Sequence, residues 1–102
     1  MATSFALLAD PTRRRLLDEL RQREQTVGEL VQRLRMKQPA VSKQLRVLRE
    51  AGLATVRVDA QRRIYRLNPD GLREVDEWLA PYRVFWEERL DALERTLESM
   101  ED

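Results

Sequence analysis

Residues 26–52 decide the fold of this chain, and their sequence is TVGELVQRLRMKQPAVSKQLRVLREAG. Thr26 and Glu29 have the spacing of a capping box, in which a hydroxyl and a carboxylate bond to backbone N–H groups at a helix start. We therefore predict a helix over residues 27–34. A second helix follows after a short connection, and this arrangement indicates a helix-turn-helix.

The second helix is predicted from Gln38-Pro39, where a proline in the first turn lacks only an N–H that has no partner there, to about Ala51. Gly52 is the expected stop residue. Apolar residues at spacings of three and four give each helix one face, and these faces should pack together: Leu30 and Leu34 on the first, Val41, Leu45 and Leu48 on the second. The opposite face of the second helix carries Gln38, Ser42, Lys43, Arg46 and Arg49.

This outward face is suited to duplex DNA. Amide and hydroxyl groups near a helix start can hydrogen-bond to base edges, while lysine and arginine neutralise phosphates. The alternative is an ordinary amphipathic helix with a solvated charged face. Residues 35–66 carry nine lysines or arginines against Glu50 and Asp59, so DNA binding is the favoured interpretation.

The flanking segments complete the fold. A short helix carrying Phe5, Leu7 and Leu8 precedes a helix that begins at Asp10-Pro11 and runs to about Arg23. After Gly52 the pattern alternates as in strands, and the polar stretch from Asp59 to Arg62 is a plausible hairpin tip.

A C-terminal helical region begins at Asn68-Pro69, which repeats the cap-plus-proline signal, and Pro81 either kinks this region or splits it. The predicted fold class is mainly α with a small β-hairpin. We expect a single winged helix-turn-helix domain over 1–102 that dimerises through its first and C-terminal helices. Its parts are the helix-turn-helix (26–52), the wing hairpin (54–67) and the C-terminal dimerisation region (69–99).

Charge is divided along the chain. Residues 1–66 have a net charge of +8 and residues 67–102 a net charge of −7, which suggests that only the front meets a polyanion. In the hairpin, Arg57, Arg62 and Arg63 are candidates for contact with the flanking DNA backbone or a minor groove; the alternative is that they only solubilise it. The run 13–15 of three arginines either approaches DNA or pairs with the acidic C-terminal region.

Three stretches resemble the ArsR family of winged-helix repressors: ALLADPTRRRLLDEL, TVGELVQRL and PAVSKQLRVLREAGL, which together cover about residues 4–67. The resemblance implies a cytoplasmic, homodimeric bacterial transcription factor, most often a repressor. It also implies that Ser42 and Lys43 face the DNA groove, with Gln38 as a further candidate.

Many members of that family release DNA when a metal binds to cysteines on the third helix, or to histidine and carboxylates on the last one. This chain has neither cysteine nor histidine, so we expect no metal site of that kind and no cofactor. The last helix carries carboxylates at Glu87, Glu88, Asp91 and Glu94. They could hold magnesium or calcium, but a solvated face is the favoured interpretation.

The C-terminal region carries more apolar side chains than a small domain can bury. From Trp86 onward they recur at spacings of four and three, as in a coiled coil. We expect a twofold dimer, the alternative being a helix that folds back on its own domain. The expected interface residues are Phe5, Leu8, Tyr82, Phe85, Trp86, Leu90, Leu93 and Leu97. Such a dimer would place two recognition helices about 34–36 Å apart on an inverted repeat.

Other functions are less well supported by the sequence. Without cysteine, histidine or a glycine-rich phosphate loop, nothing resembles an enzyme active site. The apolar run from Phe5 to Ala9 is too short for a membrane segment. A winged-helix protein-interaction module is the alternative to a DNA-binding regulator. Trp78, Tyr82, Phe85 and Trp86 could line a pocket for an unidentified small-molecule effector, although aromatic residues at helical spacing are more often core.

Overall fold

The computed structural model describes residues 4–100, which form five helices and a small antiparallel sheet. The elements are α1 (Ser4–Leu8), α2 (Pro11–Gln22), β1 (Gln25–Thr26), α3 (Val27–Leu34), α4 (Gln38–Glu50), β2 (Ala54–Asp59), β3 (Arg62–Leu67), a 3-10 turn (Pro69–Leu72) and α5 (Arg73–Met100). The predicted fold class, a mainly helical winged helix-turn-helix, is confirmed.

Side-chain hydrogen bonds cap the starts of α2 and α3. Asp10 caps α2 by accepting a hydrogen bond from the Thr12 backbone N–H at 2.8 Å. The capping box of α3 is present in both directions. The Thr26 hydroxyl accepts from the Glu29 N–H at 3.2 Å, and the Glu29 carboxylate accepts from the Thr26 N–H at 3.0 Å. These bonds satisfy donors that a helix start otherwise leaves without partners.

The core lies where α2, α3 and α4 meet. The five apolar residues predicted to join α3 and α4 are all buried, and α2 adds three leucines. These eight side chains are Leu16, Leu17, Leu20, Leu30, Leu34, Val41, Leu45 and Leu48. Because they fix the angle between α3 and α4, the polar face of α4 is held toward solvent.

The sheet has the order β1-β3-β2, and strand β1 was not predicted. Gln25 pairs with Tyr65 and Thr26 with Ile64, so this two-residue strand joins the start of the helix-turn-helix to the hairpin. Gln25 is buried, and its amide Nε2 donates to the Glu19 carbonyl oxygen at 2.9 Å. A strand this short shows no alternation in sequence.

Asn68 stands at the predicted cap position, before the 3-10 turn that Pro69 begins, but it does not cap through its side chain. Its amide Nδ2 instead donates to the Gly52 carbonyl oxygen at 2.8 Å. The Asn68 backbone N–H also donates to the Leu53 carbonyl oxygen at 2.9 Å. Gly71 lies against the Gly52 carbonyl, and a Cβ added to Gly71 would be only 2.4 Å from its oxygen. The end of α4 is therefore joined closely to the beginning of the C-terminal region.

Helix α5 is a single 28-residue helix that continues through Pro81, so the proline does not split it. The helix also does not fold back on its own domain: none of its residues in 73–100 is buried, and its large apolar residues from Tyr82 to Met100 are 48–76% exposed. Helix α1 contacts α5 through Phe5 and Trp78, whose rings meet edge to face at 5.7 Å. No helix within residues 4–100 is both long and apolar enough to cross a membrane.

Candidate nucleic-acid interface

The outward face of α4 and strand β3 of the wing enclose an open cleft of about 440 Å³, which we call the recognition cleft. All five residues of the outward face of α4 lie in it, together with one of the three wing arginines. The lining residues are Val27, Gln38, Pro39, Ser42, Lys43, Arg46, Arg49, Arg63 and Tyr65. Tyr65 was not foreseen, although the two-residue period of a strand places it on the same face as Arg63. Val27 carried no sequence signal for the cleft.

Four cations in the cleft have no acidic partner among the described residues. Across residues 4–100, no carboxylate lies within 4.0 Å of Lys43, Arg46, Arg49 or Arg63, whereas seven ion pairs form elsewhere. Their charges are left for an external anion. The exposed Gln38 and Ser42 lie beside them at the start of α4, where a helix in a major groove approaches base edges. The cleft thus combines uncompensated positive charge with short polar side chains, as DNA recognition requires.

Among the described residues, the arginines at 13–15 make no ion pair with the acidic C-terminal region, which was one of the two alternatives, and an approach to DNA stays a prediction. Arg13 Nε donates to Gln44 Oε1 at 2.8 Å and ties α2 to α4. Arg14 donates to the Leu8 carbonyl oxygen at 2.8 Å, and Arg15 donates to the carbonyl oxygen of Leu34, the last residue of α3, at 3.2 Å. Arg14 and Arg15 thus cap the C-terminal ends of α1 and α3, while Arg13 joins α2 to the middle of α4.

The wing arginines lie on two faces of the hairpin. Directly paired residues of antiparallel strands point to the same face. Arg63 pairs with Val58 on the face that lines the recognition cleft, and Arg57 pairs with Ile64 on the other face. Arg62 pairs with Asp59 at the tip, and their charged groups are 3.8 Å apart.

Arg57 is engaged by a carboxylate outside the wing. Its Nη2 donates to Glu24 Oε1 at 2.6 Å and its Nε to Glu24 Oε2 at 3.4 Å. This hydrogen bonding by the guanidinium lowers the pKa of the Glu24 carboxyl below its ordinary value. Arg57 therefore differs from Arg63, which has no carboxylate within ion-pair distance among the described residues.

The residues expected at a dimer interface are mostly surface residues of the single chain. Tyr82, Phe85, Trp86, Leu90, Leu93 and Leu97 are each 48–61% exposed. Phe5 is 37% exposed beside Trp78, and Leu8 is half-buried against the core of its own domain. The aromatic cluster of α5 is likewise open to solvent, and the ring centroids of Trp78 and Tyr82 are 4.9 Å apart with the rings tilted by 40°. Within the described residues, no three acidic side chains converge into a group that could hold a metal ion.

The helix-turn-helix, the paired wing and the basic cleft between them define a winged helix-turn-helix of the DNA-binding class. Residues 10–56 match the family model described as bacterial regulatory protein, ArsR family. A biofilm growth-associated repressor from Agrobacterium fabrum is 44% identical over 85 residues, which cover 83% of this chain and 71% of the relative. The chain belongs to the ArsR family of bacterial transcriptional regulators, as its motifs predicted, and the proteins of this family are not enzymes.

Solved structures agree with this assignment. The crystal structure of a possible transcriptional regulator for arsenical resistance superimposes with a TM-score of 0.66 at 44% identity, covering 86% of this chain and 88% of that one. The homodimeric winged helix-turn-helix DNA-binding domain of a possible ArsR-family regulator from Mycobacterium bovis gives a TM-score of 0.62 at 28% identity, covering 85% and 78%. This chain spans 64%, 71% and 88% of the length of three curated relatives.

Proposed function

We propose that this chain is a homodimeric transcriptional repressor that binds an inverted-repeat operator through α4. The observation that carries the proposal is the recognition cleft, where four cations that have no acidic partner within residues 4–100 surround Gln38 and Ser42. Phosphate contacts from the cations would position the helix, and the amide and hydroxyl would contribute to sequence readout. Two relatives are named as repressors, which supports repression over activation for this chain. The cytoplasmic location that the sequence suggests stays a prediction.

The DNA-reading face is tested with the double variant Ser42→Ala, Lys43→Ala. We expect it to weaken binding to the protein's own promoter region, measured by gel shift at moderate salt with competitor DNA. Arg95→Ala, Thr96→Ala is the matched control, because it removes a cation and a hydroxyl from exposed positions on α5. Unchanged binding by the first variant, with both proteins folded by circular dichroism, would refute the proposed face. No specific shift by the unmodified protein would favour a protein-docking module instead.

The dimer proposal depends on the apolar surface of α5. Leu90, Leu93 and Leu97 follow a coiled-coil spacing and are more than half exposed in the single chain. Exposed apolar surface costs roughly 25 cal/mol per Å², so covering it with a second copy is favourable. The homodimeric relative from Mycobacterium bovis supports this arrangement. A dimer would present two α4 helices to half-sites about 10 base pairs apart, hence the inverted repeat.

Sedimentation velocity tests the dimer with the double variant Leu90→Glu, Leu93→Glu. We expect a folded monomer, because four carboxylates per dimer would enter an apolar interface. Glu88→Gln with Asp91→Asn changes two residues of the same helix off the coiled-coil spacing and should leave a dimer. A dimer that persists in the leucine variant at micromolar concentration would rule out this interface.

As part of the same proposal, DNA binding by this chain is not controlled by a metal ion bound through thiol or imidazole groups. The full sequence contains neither cysteine nor histidine, so the ligands that soft and borderline metals prefer are absent. We expect operator affinity to be unchanged by zinc or arsenite at concentrations that do not precipitate the protein. A saturable loss of DNA binding on titration with either would contradict this part of the proposal.

A further inference from the structure

The hairpin face turned away from the recognition cleft, which we call the outer face, carries a connected row of charges. Arg57 lies 3.9 Å from Asp59, and Asp59 lies 3.8 Å from Arg62 at the wing tip. At the other end of the row, Glu24 holds Arg57 through two hydrogen bonds, the shorter at 2.6 Å. The row runs from the connection between α2 and β1 to the tip of the wing.

The Glu24–Arg57 ion pair crosses the sheet. Glu24 immediately precedes β1, which is one edge strand, while Arg57 lies on β2, the other edge strand. The central strand contributes Ile64, which pairs with Arg57 and is only 7% exposed. Neighbouring strands are about 4.8 Å apart, so the pair ties together two edges that no backbone hydrogen bond joins directly.

Apart from this ion pair and the pairing of β2 with β3, few contacts fix the outer half of the wing, residues 57–63. From Arg57 to Arg63 every residue is exposed, so no core packing fixes the direction in which this part of the hairpin projects. The strand pairing itself keeps β2 beside β3, but it leaves the twist of a two-stranded ribbon variable. Arg63 belongs to this segment, so its place in the recognition cleft depends on the direction of the hairpin.

We infer that Arg57 is a positioning residue: bound to Glu24, it sets the orientation of the wing and does not contact a DNA phosphate. The sequence had grouped Arg57 with Arg62 and Arg63 as a DNA contact. The inference rests on the proposed function, because the wing is positioned for DNA. Lysine at this site would be a poor replacement, since the fork of an arginine matches both carboxylate oxygens.

The test compares Glu24→Gln, Arg57→Gln and the double variant on promoter DNA, with affinity measured across a range of salt concentrations. The single substitutions change the net charge in opposite directions, and the double variant keeps it unchanged. If Arg57 positions the wing, all three should weaken binding by a similar factor, about two to five for each wing of the dimer, the range that one exposed ion pair supports. The slope of log affinity against log salt should stay that of the unmodified protein, because no phosphate contact is lost.

The opposite pattern would overturn the inference. A phosphate contact by Arg57 predicts that Arg57→Gln reduces the salt slope by about 0.9 for each protomer, while Glu24→Gln leaves affinity unchanged or raises it. Arg63→Gln serves as the reference for a lost contact.

A second measurement needs no DNA, so it tests the positioning role of Arg57 separately from the proposed function. Amide order parameters for residues 57–63 should fall in Glu24→Gln, with the amides of α3 and α4 unchanged. Order parameters for 57–63 equal to those of the unmodified protein would refute the positioning role.

Discussion

Arg63 allows the sharpest test of the recognition cleft. It is the wing arginine that lines the cleft with α4, and no carboxylate lies within 4.0 Å of it among the described residues. If it contacts one phosphate in each protomer, Arg63→Gln removes two contacts from a dimer. The salt slope should then fall by about 1.8, because each phosphate contact contributes about 0.9.

The same slope gives the loss of affinity. Counterion release scales with the logarithm of salt, so two lost contacts weaken binding by roughly 60-fold at about 0.1 M salt and by much less near 1 M. A variant whose binding curve converges with that of the unmodified protein at high salt has therefore lost phosphate contacts alone. The assay is fluorescence anisotropy on a labelled promoter fragment at several salt concentrations.

Arg95→Gln is the control, because it removes the same charge from an exposed position near the end of α5. Its slope should match that of the unmodified protein. The reasoning fails if Arg63→Gln leaves the slope unchanged, or if Arg95→Gln lowers it as much, since a general charge effect would then explain both. A fall of about 0.9 instead of 1.8 would show that one wing per dimer contacts a phosphate.

Three further predictions concern stability. Leu45→Ala empties a fully buried site in the core and should lower the free energy of unfolding by about 2–5 kcal/mol, measured by urea denaturation. Gly71→Ala would place a Cβ 2.4 Å from the Gly52 carbonyl oxygen and should cost about 1–3 kcal/mol in the same assay. Two hydrogen bonds from Thr26 lower the pKa of Glu29 in the folded state; the bond from its backbone N–H has the larger effect and the bond from its hydroxyl the smaller. The resulting stabilisation is complete above the unfolded-state pKa and is lost as pH falls through the folded-state pKa, so Glu29→Gln should flatten the acid limb of a pH–stability curve.

Each of these has a control or an outcome that would contradict it. Leu90→Ala makes the same truncation at a residue 61% exposed in the single chain, so its effect should depend on protein concentration, while that of Leu45→Ala should not. Wild-type stability for Gly71→Ala would mean that the carbonyl can move away at no cost. An unchanged acid limb in Glu29→Gln would show that other carboxylates govern the pH dependence.

The parts of the fold that sequence could predict depend on neighbours within one or two helical turns. The capping box needs only Thr26 and Glu29, and the apolar stripe of α4 needs only spacings of three and four. Both were predicted correctly for that reason. The outward face of α4 follows from the same periodicity, so the helical part of the recognition cleft could be located before the structure was known.

The remaining features depend on partners far along the chain. Strand β1 forms because Gln25 meets Tyr65, forty residues later, and two residues carry no pattern of their own. Asn68 has the sequence of a cap, but Gly52 offers its side chain a carbonyl oxygen instead. Arg57 and Arg63 look alike in sequence, and only the strand register assigns them to opposite faces of the wing. These roles are decided by contacts between residues that are far apart in the sequence, and composition does not reveal such contacts.

The junction at Gly52 connects the two halves of the proposed mechanism. Its carbonyl oxygen accepts a hydrogen bond from the Asn68 side-chain amide at 2.8 Å and lies against Gly71, so the end of α4 and the start of the C-terminal region are in close contact. In the proposed dimer, α5 sets the relation between protomers and α4 reads the half-site. The distance between the two recognition helices then depends on the direction in which α5 extends from this junction. A signal that shifts α5 would change that distance without altering any residue of the recognition cleft.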